Sequence, residues 1–137
     1  MKFLSRSTKT EVSLPTKPVE YPKGTCVKTE SGTYYIGIEF KKPILTDRIR
    51  DSWGFARVVE TTDAAISKYL KGTPLGFRSG TVIYDFSTGK TYVIWGESKR
   101  HLTNPDRVED YGMKYREDVL WVSAEEAALH SEGKPIN

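Results

Sequence analysis

The sequence predicts an α+β protein built from two homologous small modules, each a β-hairpin, a helix, a short strand and a second helix, preceded by an extended arm. Three observations predict it. First, the landmarks of residues 24–75 return in residues 80–136. Gly24-Thr25 lies over Gly80-Thr81, Val27 over Ile83, Gly32 over Gly89, Tyr35-Ile36 over Tyr92-Val93, and Lys42 over Lys99. Leu45-Thr46 lies over Leu102-Thr103, Gly54 over Gly112, Val58 over Val119, Thr62 over Ser123, and Gly72-x-Pro74-Leu75 over Gly133-x-Pro135-Ile136. Second, runs rich in aromatic and β-branched residues are separated by Ser, Thr and Gly, the pattern of strands joined by tight turns. Third, capping residues and glycines recur at helical spacing.

Residues 1–23 form the arm. Pro15, Pro18 and Pro22 disfavour helix and favour extended chain. Lys2, Arg6, Lys9, Lys17 and Lys23 stand against Glu11 and Glu20. An extended arm needs a surface to lie on, which points to a neighbouring subunit or partner, with a strap across the protein's own body as the alternative. Lys2, Phe3, Leu4, Arg6, Lys9 and Lys17 are the candidate partner-binding residues of this arm.

Module 1, residues 24–75, opens with a strand over 25–29, a turn at Glu30-Ser31-Gly32 and a return strand over 33–38. The basic turn Lys41-Lys42-Pro43 follows. Thr46-Asp47 starts a short helix that Gly54 ends, with Ile49 and Trp53 on one face. A strand over 57–60 and a helix from Thr62 to Gly72 complete the module. Residues 76–79 are a linker. Module 2, residues 80–137, repeats the order: strands over 81–86 and 91–95, the basic turn Lys99-Arg100, and a helix with Asn104 as N-cap, Pro105 in its first turn and Gly112 as C-cap. A strand over 118–122 precedes a last helix, which Ser123-Ala-Glu-Glu126 opens as a capping box and Gly133 closes.

A module of about 55 residues buries too little surface to be secure alone, so the two copies share a core or lean on other chains. The arm carries the +3 charge of the whole 137-residue chain, leaving a neutral body. Such a body lacks the basic face that nucleic-acid binding requires. The single cysteine, Cys26, excludes an internal disulfide and reads as a small apolar side chain in a strand. No apolar run reaches the ~18 residues of a membrane span. The start has a charge but no apolar stretch behind it, unlike an export signal.

The sequence supplies no catalytic or metal-binding pattern, and no cofactor is expected. His130 reads as a cation at the end of the last helix, favoured there by the dipole. His101 aligns with Ile44 of the first copy, so it need not do chemistry. Glu125 and Glu126 sit in a helical first turn, and Asp106, Glu109 and Asp110 form a solvated acidic face. An enzyme site tends to break the symmetry of its repeats, and no break is visible. Two features remain as candidate surface-binding elements. One is the aromatic set, with Trp53, Trp95 and Trp121 foremost, because exposed Trp and Tyr suit protein interfaces and sugar stacking alike. The other is the repeated basic turn, Lys41-Lys42 and Lys99-Arg100, which suits carboxylates or phosphates.

The string Tyr35-Ile36, Lys41-Lys42-Pro43-Ile44, Trp53-Gly54-Phe55, Val58-Val59, Thr62-Asp63-Ala64, Gly72-x-Pro74-Leu75 resembles a short tandem repeat of bacterial surface and secreted proteins. The second copy keeps the frame but has Tyr111 where that repeat often has Trp. The resemblance covers residues 24–136 and implies a non-catalytic module associated with adhesion or the cell wall. It transfers no catalytic residue.

The basic arm and the unexported start differ from that setting and point to a virion protein. The expectation is therefore a non-enzymatic structural or accessory subunit of a large assembly, a bacteriophage capsid-decoration, neck or tail protein, assembled in the host cytoplasm and otherwise cytoplasmic. Its partners would be other protein subunits, copies of itself included. The alternative is a glycan or cell-envelope binding module.

Overall fold

The computed structural model describes residues 13–113 and 115–137. Among these residues, ten strands and a few short helices make a mixed α+β protein with two five-stranded sheets. Two compact units divide the chain. The first comprises the chain through Pro43 together with Arg57–Gly72, and the second comprises Ile44–Ala56 with Thr73–Asn137.

In the first unit, β1 (Cys26–Thr29) and β2 (Gly32–Ile36) form an antiparallel hairpin. β3 (Phe40–Ile44) lies on the far side of β2, β4 (Val58–Glu60) pairs parallel with β1, and β5 (Leu70–Lys71) pairs parallel with β3. The sheet order is β4-β1-β2-β3-β5. Its core gathers Val27, Tyr34, Ile36, Ile66 and Tyr69, with Tyr21 and Val59 packed against them. Tyr21 comes from the arm. The described part of the arm is a strap on its own unit: the Thr62 hydroxyl donates to Pro15 O, Val19 N–H to Ala65 O, and Tyr21 N–H to the Tyr69 hydroxyl. The Tyr21 hydroxyl is 2.7 Å from Thr61 Oγ1.

In the second unit, α1 (Asp47–Trp53) stands with the C-terminal part of the chain. Thr46 caps it by accepting from Ile49 N–H, and Gly54 ends it at a φ of 63°, a left-handed conformation that favours glycine. The sheet holds β6 (Val82–Asp85), β7 (Lys90–Trp95), β8 (Ser98–His101), β9 (Leu120–Val122) and β10 (Ser131–Glu132), in the order β10-β8-β7-β6-β9. The β6–β7 and β7–β8 pairs are antiparallel, while β9 pairs parallel with β6 and β10 parallel with β8. A 3-10 helix at Pro105–Tyr111, capped by Asn104, α2 (Tyr115–Asp118) and α3 (Ala124–Ala127) complete the unit. Val82, Val93, Leu102, Val108 and Val119 form its core. Read from the opposite edge, this sheet repeats the strand order of the first.

Several expectations need correction. The basic segments are strands, not turns: Lys41 and Lys42 lie in β3, and Lys99 and Arg100 in β8, each flanked by strands on both sides. The helix expected from Thr62 is a run of turns over 63–68. Its hydrogen bonds reach back three residues, as in Ile66 N–H to Asp63 O and Tyr69 N–H to Ile66 O. Two carbonyls an α-helix would use here are engaged elsewhere, Ala65 O by Val19 N–H and Ile66 O by the Lys41 ammonium. Nor do Gly72 and Gly133 close helices. Each follows a two-residue parallel edge strand and donates its N–H to the carbonyl of Lys41 or Lys99 respectively. A Cβ on Gly133 would lie 3.2 Å from Ser98 Cβ, so glycine allows the backbone this close to β8.

Strand pairing also shifts the equivalence of the two copies by one residue in the middle. Val27 pairs with Tyr34, and Ile83 pairs with Tyr92, so Tyr34 rather than Tyr35 corresponds to Tyr92. The cause is turn length: residues 30–31 join the first hairpin, and residues 86–89 join the second.

Candidate functional site

The sequence-derived site residues separate into those held by the scaffold and those left facing solvent. Lys41 and Lys99 are held by matching devices. Lys41 Nζ donates to Ile66 O at 3.2 Å and lies 5.9 Å from the Tyr34 ring centre. Lys99 Nζ donates to Ala127 O at 3.0 Å and lies 5.0 Å from the Tyr92 ring centre. An ammonium over an aromatic face with a carbonyl partner is held in place as a structural clamp. Lys42 is half-buried, with its stem against Gly72. Trp53 is half-buried as well, donates its indole N–H to Gly76 O at 2.9 Å and stacks with Phe55.

His130 is not a helix-end cation. It is 4% exposed, and its Nε2 accepts the Phe77 N–H at 2.8 Å. Acceptance at Nε2 places the proton of the neutral ring on Nδ1. Burial pushes the ring below its ordinary protonation range, although the Glu97 carbonyl beside it works in the opposite sense. Nδ1 has no partner of good hydrogen-bond geometry.

Glu126 does more than cap α3. Its carboxylate accepts from Ser123 N–H, the Thr46 hydroxyl at 2.6 Å and Arg48 Nε at 3.2 Å, while 97% of the residue is buried. Burial alone would raise its carboxyl, but the bonds from Ser123 and Thr46 and the Arg48 charge bring it below the ordinary value. Thr29 and Ser31 hydroxyls likewise hold Asp63 low from the β1–β2 turn. These carboxylates accept from protein donors and act as fasteners. Among the described residues, no group of three or more His, Cys, Asp and Glu is arranged to hold a metal ion. No helix among them is long and apolar enough to cross a membrane.

Two surfaces remain. On the second unit, Tyr84, Phe86 and Trp121 cluster at β9, an edge strand. Tyr84 and Trp121 are direct cross-strand neighbours with ring centres 4.9 Å apart, and Phe86 meets Trp121 edge-on at 4.9 Å. Phe86 is 63% and Trp121 53% exposed. Trp95 is also exposed, with the Arg100 guanidinium 5.2 Å from its ring and Arg100 Nε donating to Lys134 O. On the first unit, a cleft of about 440 Å³ opens between the strap and the β3–β5 edge. Val19, Glu20, Ile38, Glu39 and Leu70 line it, and Phe40, the ladder partner of Leu70, stands exposed beside it. The sequence singled out Trp95 and Trp121 but missed this cleft, because Ile38 and Leu70 come together only through the parallel β3–β5 pairing.

Of the arm residues, Lys17 is exposed, whereas Lys2, Phe3, Leu4, Arg6 and Lys9 lie outside the described residues. No protein-family model matches the chain, and no curated protein matches it.

Proposed function

We propose that the protein is a non-enzymatic structural or accessory subunit of a large assembly, with a bacteriophage virion as its setting. The observation that carries this reading is the exposed cluster of Tyr84, Phe86 and Trp121 at the edge of the second sheet. Three large rings packed on one another in water keep apolar surface exposed that a partner would cover. Rigid aromatic rings are the residues on which protein interfaces concentrate their energy. Rings meeting edge-on present no common flat face, which favours a protein surface over a stacked sugar. The polar groups support the same reading: the buried acids and Lys41 and Lys99 are committed to internal bonds.

The test is sedimentation of the protein in a lysate of the cells that make it, tracked by mass spectrometry. Migration with a megadalton particle, reduced by Trp121→Ala with an unchanged unfolding midpoint, is the expected result. Migration only as a free 15.5 kDa species would remove the reading.

Glycan or cell-envelope binding is the second reading, favoured by Trp95. That ring is 57% exposed and carries the Arg100 guanidinium beside it. Titration with cell-wall fragments that leaves tryptophan fluorescence unchanged would count against it.

A further inference from the structure

The first-unit cleft combines unused apolar surface with unused negative charge. Ile38 is 75% and Leu70 60% exposed, large values for aliphatic side chains that line a concavity. Glu20 and Glu39 border it, and neither has an ion-pair partner among the described residues. Lys68 is the one cation in the lining, leaving a net negative charge. An occupant of matching chemistry is an apolar segment flanked by cations.

The chain contains such a segment at its own start, Met1-Lys2-Phe3-Leu4-Ser5-Arg6, with two apolar residues between two basic ones. To reach the cleft of its own unit this segment would have to double back along the strap, whereas a second copy can present it directly. Leu14 lies with Lys28, Thr29, Glu30 and Glu60, at the β1–β2 turn. The cleft adjoins Ile38 and Glu39, beyond the opposite end of β2. The arm thus enters the unit at the end remote from the cleft.

We propose that this cleft receives the N-terminal segment of a second copy of the chain, with Lys2 and Arg6 facing Glu20 and Glu39, and Phe3 and Leu4 covering Ile38 and Leu70. The proposal rests on the subunit reading above and names one contact of that assembly. Reciprocal or successive exchange of arms links copies without using the aromatic cluster, which stays available to a different partner.

The test uses the full chain and sedimentation equilibrium over a concentration series. The wild type self-associates. Glu20→Lys with Glu39→Lys, or Lys2→Glu with Arg6→Glu, turns two attractions into repulsions and weakens association by about tenfold or more. Combining all four substitutions restores association to within about threefold of wild type, since the pairs are re-formed with reversed sign. All four positions carry charges that a partner would neutralise, and Glu20 and Glu39 are exposed, so the fold is retained and circular dichroism checks it. A wild type that stays monomeric at every concentration overturns the proposal. So does association indifferent to either pair of reversals, or a four-fold variant that fails to recover. Incorporation into a particle by the reversed variants separates the two readings: it leaves the subunit reading standing while the cleft contact falls.

Discussion

Gly76→Ala is a one-carbon change with a large expected effect. The added Cβ would sit 2.5 Å from His130 Nε2 and 2.6 Å from Cε1, well inside van der Waals contact. The imidazole is 4% exposed and cannot swing into solvent. It has to move within a packed interior, which costs about 1–3 kcal/mol. Moving it also takes Nε2 away from Phe77 N–H, a donor in a residue only 2% exposed. A buried donor left without a partner costs a further ~1–3 kcal/mol. The sum, about 2–6 kcal/mol, is a large share of the ~5–15 kcal/mol of a typical domain. All three tryptophans, Trp53, Trp95 and Trp121, belong to the second unit, so urea unfolding followed by tryptophan fluorescence reports on the unit that holds Gly76 and His130. A double-mutant cycle isolates the cause. With His130→Ala already present the clash partner is gone, and Gly76→Ala becomes neutral within ~0.5 kcal/mol or slightly stabilising through loss of unfolded-chain freedom. A Gly76→Ala midpoint equal to wild type would refute the reasoning, as would an equal cost in both backgrounds.

Glu126→Ala removes the reciprocal half of the capping box and leaves the Thr46 hydroxyl without its acceptor; about 2–3 kcal/mol is lost, read from the same urea curves. The exposed side of Arg48 adds little to this figure because solvent screens it. His130 makes the second unit acid-sensitive: its folded value lies below the unfolded value of about 6.5, so stability is fully present above that pH and falls as pH drops through it. His130→Gln flattens this slope between pH 7 and 5, and a slope unchanged by the substitution would reassign it. Tyr21→Ala frees the strap, deleting a half-buried ring packed on the core and its bond to Thr61 at a cost of about 2–3 kcal/mol, and the Val19 amide then loses its protection in hydrogen exchange.

What the sequence made legible was mostly local. Thr46, Asn104 and Ser123 cap the helices for which they were read, and Gly54 and Gly112 end theirs in left-handed conformations, because capping is decided by a few neighbouring residues. The hairpin strands β1, β2, β6 and β7 also stand near the expected residues, since alternation and turn composition specify them. The misread segments depend on distant partners. Lys41-Lys42-Pro43 looks like a polar turn until Tyr34 and Ile66 O are placed beneath Lys41. β5 and β10 are two residues long and exist only because β3 and β8 offer them carbonyls. Thr62 differs from Ser123 in lacking a Glu at its N3 position, where Ala65 stands, so one copy forms a capped helix and the other a chain of turns. Trp121 and Trp95 were readable as candidate contact residues by type, whereas the Glu20–Glu39 cleft was invisible without the strap and the β3–β5 ladder.

The placement of α1 bears on how this chain can be cut, joined or grown. By sequence it sits in the middle of the first repeat, yet its cap and first-turn residues, Thr46 and Arg48, are partners of Glu126 far downstream. A gene divided between the repeats would therefore yield one fragment carrying an orphaned helix and another missing the helix that completes it. Neither product is a natural single repeat, and shuffling or multiplying the repeats as independent cassettes would fail at the same point. During synthesis the first unit is complete once residue 72 is available, while α1 waits for α3. Co-expressed halves split within residues 76–79 are accordingly expected to complement each other, with α1 supplied in trans as the shared piece.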